Sequence, residues 1–126
     1  MTHNRDRVAV LMGGWTSEAA VSRVSASFCG QAARNAGWDA IEVEVDRDIA
    51  AKLKEINPSR AFNALHGQIG EDGNIQGLLN IINIPYTHSG LTASAISMDK
   101  PLAKTLLASA GIMVPPTLPL AEDTHV

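Results

Sequence analysis

Val8-Ala9-Val10-Leu11-Met12, closed by Gly13-Gly14, is the stretch on which the fold turns. An unbroken apolar run, rather than an alternating one, marks a strand buried on both faces, the habit of a parallel sheet. Beyond the glycines, Val21, Val24, Phe28, Ala32 and Ala36 recur at three- and four-residue steps. That spacing predicts an amphipathic helix with this face towards the core, ended at Gly37. Cys29, beside Phe28, then reads as a buried and inert thiol. Ala40-Ile41-Glu42-Val43-Glu44-Val45 alternates strictly and predicts a second strand with one wet face, near a sheet edge. Ile49 to Ile56 reads as a short helix stopped before Pro58. Arg60 to Leu65 follows as a third strand, Gly73 to Ile82 as a third helix, and Ile84 to Thr87 as a short fourth strand. A loop through Ser89-Gly90 leads to a last helix from Lys100 to Ala110, with Gly111 just past its end. Strands alternating with helices predict an α/β fold, a parallel sheet flanked by helices through right-handed crossovers.

Composition narrows the function. The 126 residues are 45% hydrophobic and 18% charged, with a formal net charge of -3. These values suit one soluble domain with one core. No basic stripe is present to neutralise a phosphate backbone, so nucleic acid is not an expected partner. The polar start lacks an apolar secretory stretch, and no run approaches the roughly 20 apolar residues of a membrane span. With Cys29 the sole cysteine, no disulfide framework is expected, which suits a reducing cytoplasm. His3, His66, His88 and His125 are scattered without metal-ligand spacing, so no metal site is expected. No nucleophile elbow surrounds Ser89-Gly90.

Ligands of parallel sheets bind beyond the carboxyl ends of the strands. Attention therefore falls on residues 13–18, 66–73 and 89–100. Gly13-Gly14-Trp15-Thr16-Ser17-Glu18 permits a sharp turn and close backbone approach, but it matches neither the dinucleotide fingerprint nor a Walker A loop. Glu18 reads either as an acid complementing the helix dipole or as a carboxylate holding a cationic group on a small ligand. His66 follows the strand and precedes Gly67, Gly70 and Gly73; it reads as a structural histidine or as a donor to a carboxylate. Glu71 and Asp72 can stabilise the next helix start. In Ser97-Met98-Asp99-Lys100-Pro101, Asp99 is a natural N-cap. Lys100 opposes the helix dipole, either as a plain surface lysine or beside an anionic ligand.

Together these segments resemble the start of the D-alanine–D-alanine ligases of the ATP-grasp superfamily. The resemblance rests on Val8 to Gly14 with Ser17-Glu18 and Val21-Ser22, and on Ala64-Leu65-His66-Gly67 with Gly70-Glu71-Asp72-Gly73 and Gln76-Gly77. It continues through Ile84-Pro85-Tyr86-Thr87 and Ser89-Gly90 to Ala93-Ser94-Ala95 and Ser97-Met98-Asp99-Lys100. It implies a Rossmann-like (pre-ATP-grasp) parallel sheet, a substrate-binding domain over residues 1–113, and a linker over 114–126 towards a missing ATP-grasp domain. The implied reaction joins two D-alanines through an acyl phosphate for peptidoglycan precursor synthesis. The cofactors would be ATP and Mg2+, bound mainly by the missing domains, and the whole enzyme would be a cytoplasmic homodimer. Glu18 would orient the ammonium of the first D-alanine as the catalytic carboxylate, His66 would bind near its carboxylate, and Lys100 would lie on the ATP side. The family's usual Arg-Glu after the glutamate is replaced by Ala19-Ala20. The isolated chain is expected to be inactive. Another ATP-grasp ligase, a close variant that uses D-lactate or D-serine as second substrate, and a non-catalytic small-ligand module remain as alternatives.

Overall fold

The computed structural model describes residues 7–118. Strand β1 (Arg7–Gly13) runs between β2 (Asp39–Val45) and β3 (Arg60–Asn63) in a parallel sheet of order β2-β1-β3. Five helices accompany it: α1 (Ala19–Asn35), α2 (Ile49–Ile56), α3 (Asn74–Ile81), α4 (Leu91–Met98) and α5 (Lys100–Ser109). The expected α/β class holds, and the unbroken run of β1 is explained by its two covers. Ala9 and Leu11 join Val43, Val45, Leu53 and Leu79 in a core under α2 and α3, whereas Val8 and Val10 meet Ala26 and Ala40 under α1. β2 is indeed at the edge.

The expected face of α1 is reversed. Val21, Val24 and Phe28 are exposed, Phe28 at 75%, while Ala19, Ser22, Ala26 and Gly30 are buried against the sheet. The reason is proximity. A Cβ at Gly30 would collide with the Glu42 carboxylate, so this helix lies too close to the strands for large side chains. The alternating glutamates of β2 face α1 and are paired by its arginines. Arg34 grips Glu42 (2.9 and 3.1 Å), and Arg23 grips Glu44 (2.6 and 3.1 Å). The hydrogen bonds from Arg34 hold the Glu42 carboxyl below its ordinary pKa. Cys29 is half-buried rather than buried.

The fourth strand contracts to one parallel bridge, Ala61 to Tyr86, flanked by bonds from Ala61 N–H to Pro85 C=O (2.8 Å) and from Thr87 N–H to Ala61 C=O (3.2 Å). Residues 91–98, which carry no start signal and no side-chain cap, nevertheless form α4. Asp99 caps α5 as expected, accepting from Leu102 N–H at 3.0 Å. Residues 112–118 hold no regular element, and Lys104 donates to Thr117 Oγ1 at 2.6 Å. The rest of the expected linker, 119–126, and His3 and His125 lie outside the described residues.

These burials make a direct contrast in stability. Leu53→Ala removes a fully buried side chain and is expected to cost about 2–5 kcal/mol. Phe28→Ala is expected to stay within about 0.5 kcal/mol in the same urea titration. A large loss at Phe28 would contradict the outward orientation of that helix face.

Candidate functional site

The carboxyl ends of β1 and β3 are tied together by one buried hydroxyl. Ser22 Oγ accepts from Gly13 N–H at 2.9 Å and donates to Ala64 C=O at 2.8 Å. Ser22 has no exposed surface, and the two loops it joins are those that carry Glu18 and His66.

Glu18 stands at the N-cap position of α1 yet makes no capping hydrogen bond with its side chain. Its carboxylate reaches instead across to Gly67, where a Cβ would collide with it. Gly67 has φ +64°, a conformation that favours glycine, so two requirements select glycine here. His66, the preceding residue, is held from the other side: its Nε2 lies 3.1 Å from Ser25 Oγ on α1. Glu18 thus reaches the loop that carries His66, at the residue after the histidine, while the His66 ring itself turns to Ser25.

The remainder of the second loop is braced by its own acids. Glu71 accepts from Gly67 N–H (2.7 Å), and Asp72 accepts from Ile69 N–H (3.0 Å) and Asn74 N–H (3.1 Å). Asp72 thus serves the start of α3 as expected, whereas Glu71 closes the loop instead. Burial raises the Asp72 pKa, but the hydrogen bonds from Ile69 and Asn74 outweigh it and hold the carboxyl below its ordinary value. Gly70 C=O is the loop's internal anchor, accepting from Asn63 Nδ2 and Gln76 Nε2, both at 2.8 Å.

His66 opens onto a cavity of about 470 Å³ between α1, the end of β3 and α4, whose lining includes Ser25, Gln76, Ser89, Ser94 and Ser97. A larger cleft of about 650 Å³ shares Cys29 and Phe62 with it but is mainly apolar. That cleft reaches Val8, Ser59 and Arg60 at the amino ends of the strands, the wrong end for a ligand site of this sheet type. The smaller and more polar cavity, lined in part by Gly70 of the second loop, is the candidate site. Lys100, in the first turn of α5, is exposed and lines neither cavity, although Ser97 and Met98 just before it line the smaller one. Glu18 also lines neither cavity: of the three expected site residues the structure places His66 on the cavity, Glu18 against the neighbouring Gly67, and Lys100 at the margin. Among the described residues no three His, Cys, Asp or Glu side chains gather as a metal site, and no helix is long and apolar enough to cross a membrane.

Ser25 was not singled out in the sequence. Its signal is the three-residue step from Ser22, two hydroxyls on one face of an alanine-rich helix, where serine has reason to sit only if its hydroxyl finds a partner.

The sheet type defines an α/β domain of the parallel, Rossmann-like class, with its candidate site beyond the carboxyl ends of the strands. Residues 31–89 match the family model described as the D-ala D-ala ligase N-terminus. The chain is 54% identical over 108 residues to the D-alanine–D-alanine ligase of Methylorubrum extorquens (strain PA1), covering 86% of this chain and 35% of that protein. It is likewise 54% identical over 107 residues to the ligase of Xanthobacter autotrophicus, covering 85% and 35%. Its fold superposes on the Bacillus anthracis D-alanine–D-alanine ligase complexed with ATP with a TM-score of 0.79 at 31% identity, over 95% of this chain and 41% of that one. The chain is thus similar to the N-terminal region of D-alanine–D-alanine ligases and spans about 35% of the length of these curated relatives.

Two measurements check the loop geometry. Gly67→Ala and Gly37→Ala both place a side chain at positive φ, but only Gly67 has Glu18 in the way. Each is expected to lose about 1–2 kcal/mol from backbone strain, and only Gly67→Ala should show non-additivity with Glu18→Ala in a double-mutant cycle. The second concerns acid. Because the folded pKa of Asp72 lies below its unfolded value, its stabilisation is complete above about pH 4 and is withdrawn as pH falls through the folded value. The stability gap between the wild type and Asp72→Asn should therefore narrow below pH ~4, as read by thermal unfolding.

Proposed function

We propose that this chain is the first-substrate domain of an ATP-dependent D-alanine–D-alanine ligase, occupying residues 1–113, with 114–126 leading onwards as a linker. The observation that supports the reading is the approach of the Glu18 carboxylate to Gly67, the residue next to His66, on a loop whose histidine lines the polar-edged cavity. D-Alanine is a zwitterion, with an ammonium and a carboxylate on one carbon. An anion and a hydrogen-bond donor side by side are what such a ligand needs: Glu18 holds the ammonium and His66 contacts the carboxylate.

The chemistry follows from the weakness of a carboxylate as an electrophile. ATP supplies the phosphoryl group that turns one carboxylate oxygen into a leaving group. The amine of a second D-alanine then attacks the carbonyl carbon, the C–O bond to phosphate breaks, and D-alanyl-D-alanine forms. This chain's contribution is orientation: a fixed ammonium and a fixed carboxylate present the reacting oxygen in one direction. Lys100 is the one residue here that we assign to the nucleotide side, as a surface cation. Among the described residues no cluster of three His, Cys, Asp or Glu side chains gathers for a metal, and we assign Mg2+ and most of the ATP site to the parts of the relatives beyond this stretch. The choice among D-alanine, D-lactate and D-serine as second substrate belongs there too.

Peptidoglycan precursor synthesis in the cytoplasm is the setting that fits this product and a lone unpaired thiol. A homodimer is the expected assembly of the whole enzyme, and the exposed Val21, Val24 and Phe28 of α1 offer an unpartnered apolar face for it. The Arg-Glu pair common after the family glutamate has no counterpart here, since Ala19 is buried against the sheet and Ala20 points outward without charge.

ADP release by the chain joined to its native continuation tests the reading, with D-alanine, L-alanine and no amino acid compared. Turnover should require D-alanine, and Glu18→Gln should lower kcat/KM roughly ten- to a hundredfold, the loss of one charge-assisted contact. The 126-residue chain alone should show no D-alanine-dependent ADP formation. Indifference of the folded, ATP-binding whole to D-alanine would sink the proposal.

A further inference from the structure

The geometry points to Ser25 as a positioning residue that sets the orientation and tautomer of the His66 imidazole; this rests on the D-alanine reading above and deepens it. Ser22 and Ser25 lie three residues apart in α1, on neighbouring positions of one helix face. Ser22 clamps the backbone at Ala64, two residues before His66, through its 2.8 Å bond to that carbonyl. Ser25 takes the ring itself, with its Oγ 3.1 Å from Nε2. Backbone and ring of the same short segment are thus referred to one rigid helix, and rotation of the imidazole is restrained at both ends.

A neutral imidazole has one donor and one acceptor nitrogen. When the Ser25 hydroxyl donates into Nε2, the proton resides on Nδ1, and Nδ1–H becomes the ring's donor. A carboxylate accepts only from an N–H, so this tautomer suits the role assigned to His66, whereas the Nε2–H tautomer would turn a lone pair towards the ligand. Among the described residues no protein group bonds to Nδ1, which leaves it for that purpose. Ser25 accordingly selects the useful tautomer without touching the substrate.

Two readouts separate this from a structural role. Nitrogen-15 imidazole spectra of the 126-residue chain should show neutral His66 mainly as the Nδ1–H tautomer. Ser25→Ala should shift it towards Nε2–H, and Ser25→Thr, which keeps the hydroxyl, should restore it. In the chain joined to its continuation, Ser25→Ala should raise KM for the first D-alanine about tenfold, with kcat less affected, the effect of one neutral hydrogen bond. Ser25→Thr should recover most of that loss. A His66 spectrum unchanged in Ser25→Ala, a wild type already in the Nε2–H form, or a shifted tautomer with unchanged KM each overturns the assignment. A wild type that ignores D-alanine defeats the ligase reading instead, while the spectra still judge Ser25.

Discussion

A single hydroxyl, that of Ser22, fixes how closely α1 can lie to the sheet. It satisfies Gly13 N–H and Ala64 C=O at once, two backbone groups at the mouths of separate loops with no exposed surface at the bridging residue. Leaving such groups unpaired costs roughly 1–3 kcal/mol. A serine side chain is short, so the bridge exists only if the helix backbone approaches the strands closely. That demand propagates along α1 as Ala19, Ala26 and Gly30 on the same face. It also explains the two arginine–glutamate pairs. At this spacing Glu42 and Glu44 fill the room beside Gly30 and Gly13, and arginines reaching over from α1 neutralise them.

The same constraint explains what could and could not be read beforehand. β1, β2 and α2 were legible because burial on one or both faces imposes a hydropathy period, and their observed limits differ from the expected ones by a residue or none. The buried face of α1 was illegible because hydropathy weighs Val21, Val24 and Phe28 above alanine and glycine, whereas close approach to a sheet selects for smallness. The strand around Tyr86 shrank to a bridge where Pro85 offers a carbonyl but no N–H. α4 escaped notice because Leu91 to Met98 has neither a capping side chain nor a strong apolar stripe: Ser94 is its one buried residue. Of the candidate site, the loops with Glu18 and His66 stood out from the carboxyl ends of the strands and their glycines, and the family resemblance supplied the roles expected of them. The Ser25–His66 contact spans 41 residues, and no local pattern encodes a pairing that only the fold creates.

The two site loops are built by different means. The first, 13–18, relies on glycine torsions and the Ser22 bridge, and its own Trp15 turns outward under Arg47 at 4.4 Å. The second is held by carboxylates turned inward on their own backbone, and it tolerates Ile69 at φ +78° because Asp72 accepts from that residue's N–H. Strain at a buried isoleucine persists only where neighbouring bonds over-determine the backbone. Here they do, and the result is a loop whose histidine has little freedom before any ligand arrives.

Rigidity of the loops does not by itself make a strong site. Glu18 is exposed, and an ion pair open to water is worth only about 0–1 kcal/mol. The same carboxylate against the same ammonium gains several-fold when water is excluded and the effective dielectric falls. On the reading proposed above, this domain would supply direction of approach, and the strength of binding would come from whatever covers Glu18 and the cavity beside His66. Pre-positioning half of a site and closing it with another part is a physical reason for dividing substrate orientation from phosphoryl transfer. An ammonium held too tightly in the open site would lose the advantage of closure, because the interaction that should strengthen on closing would already have been made.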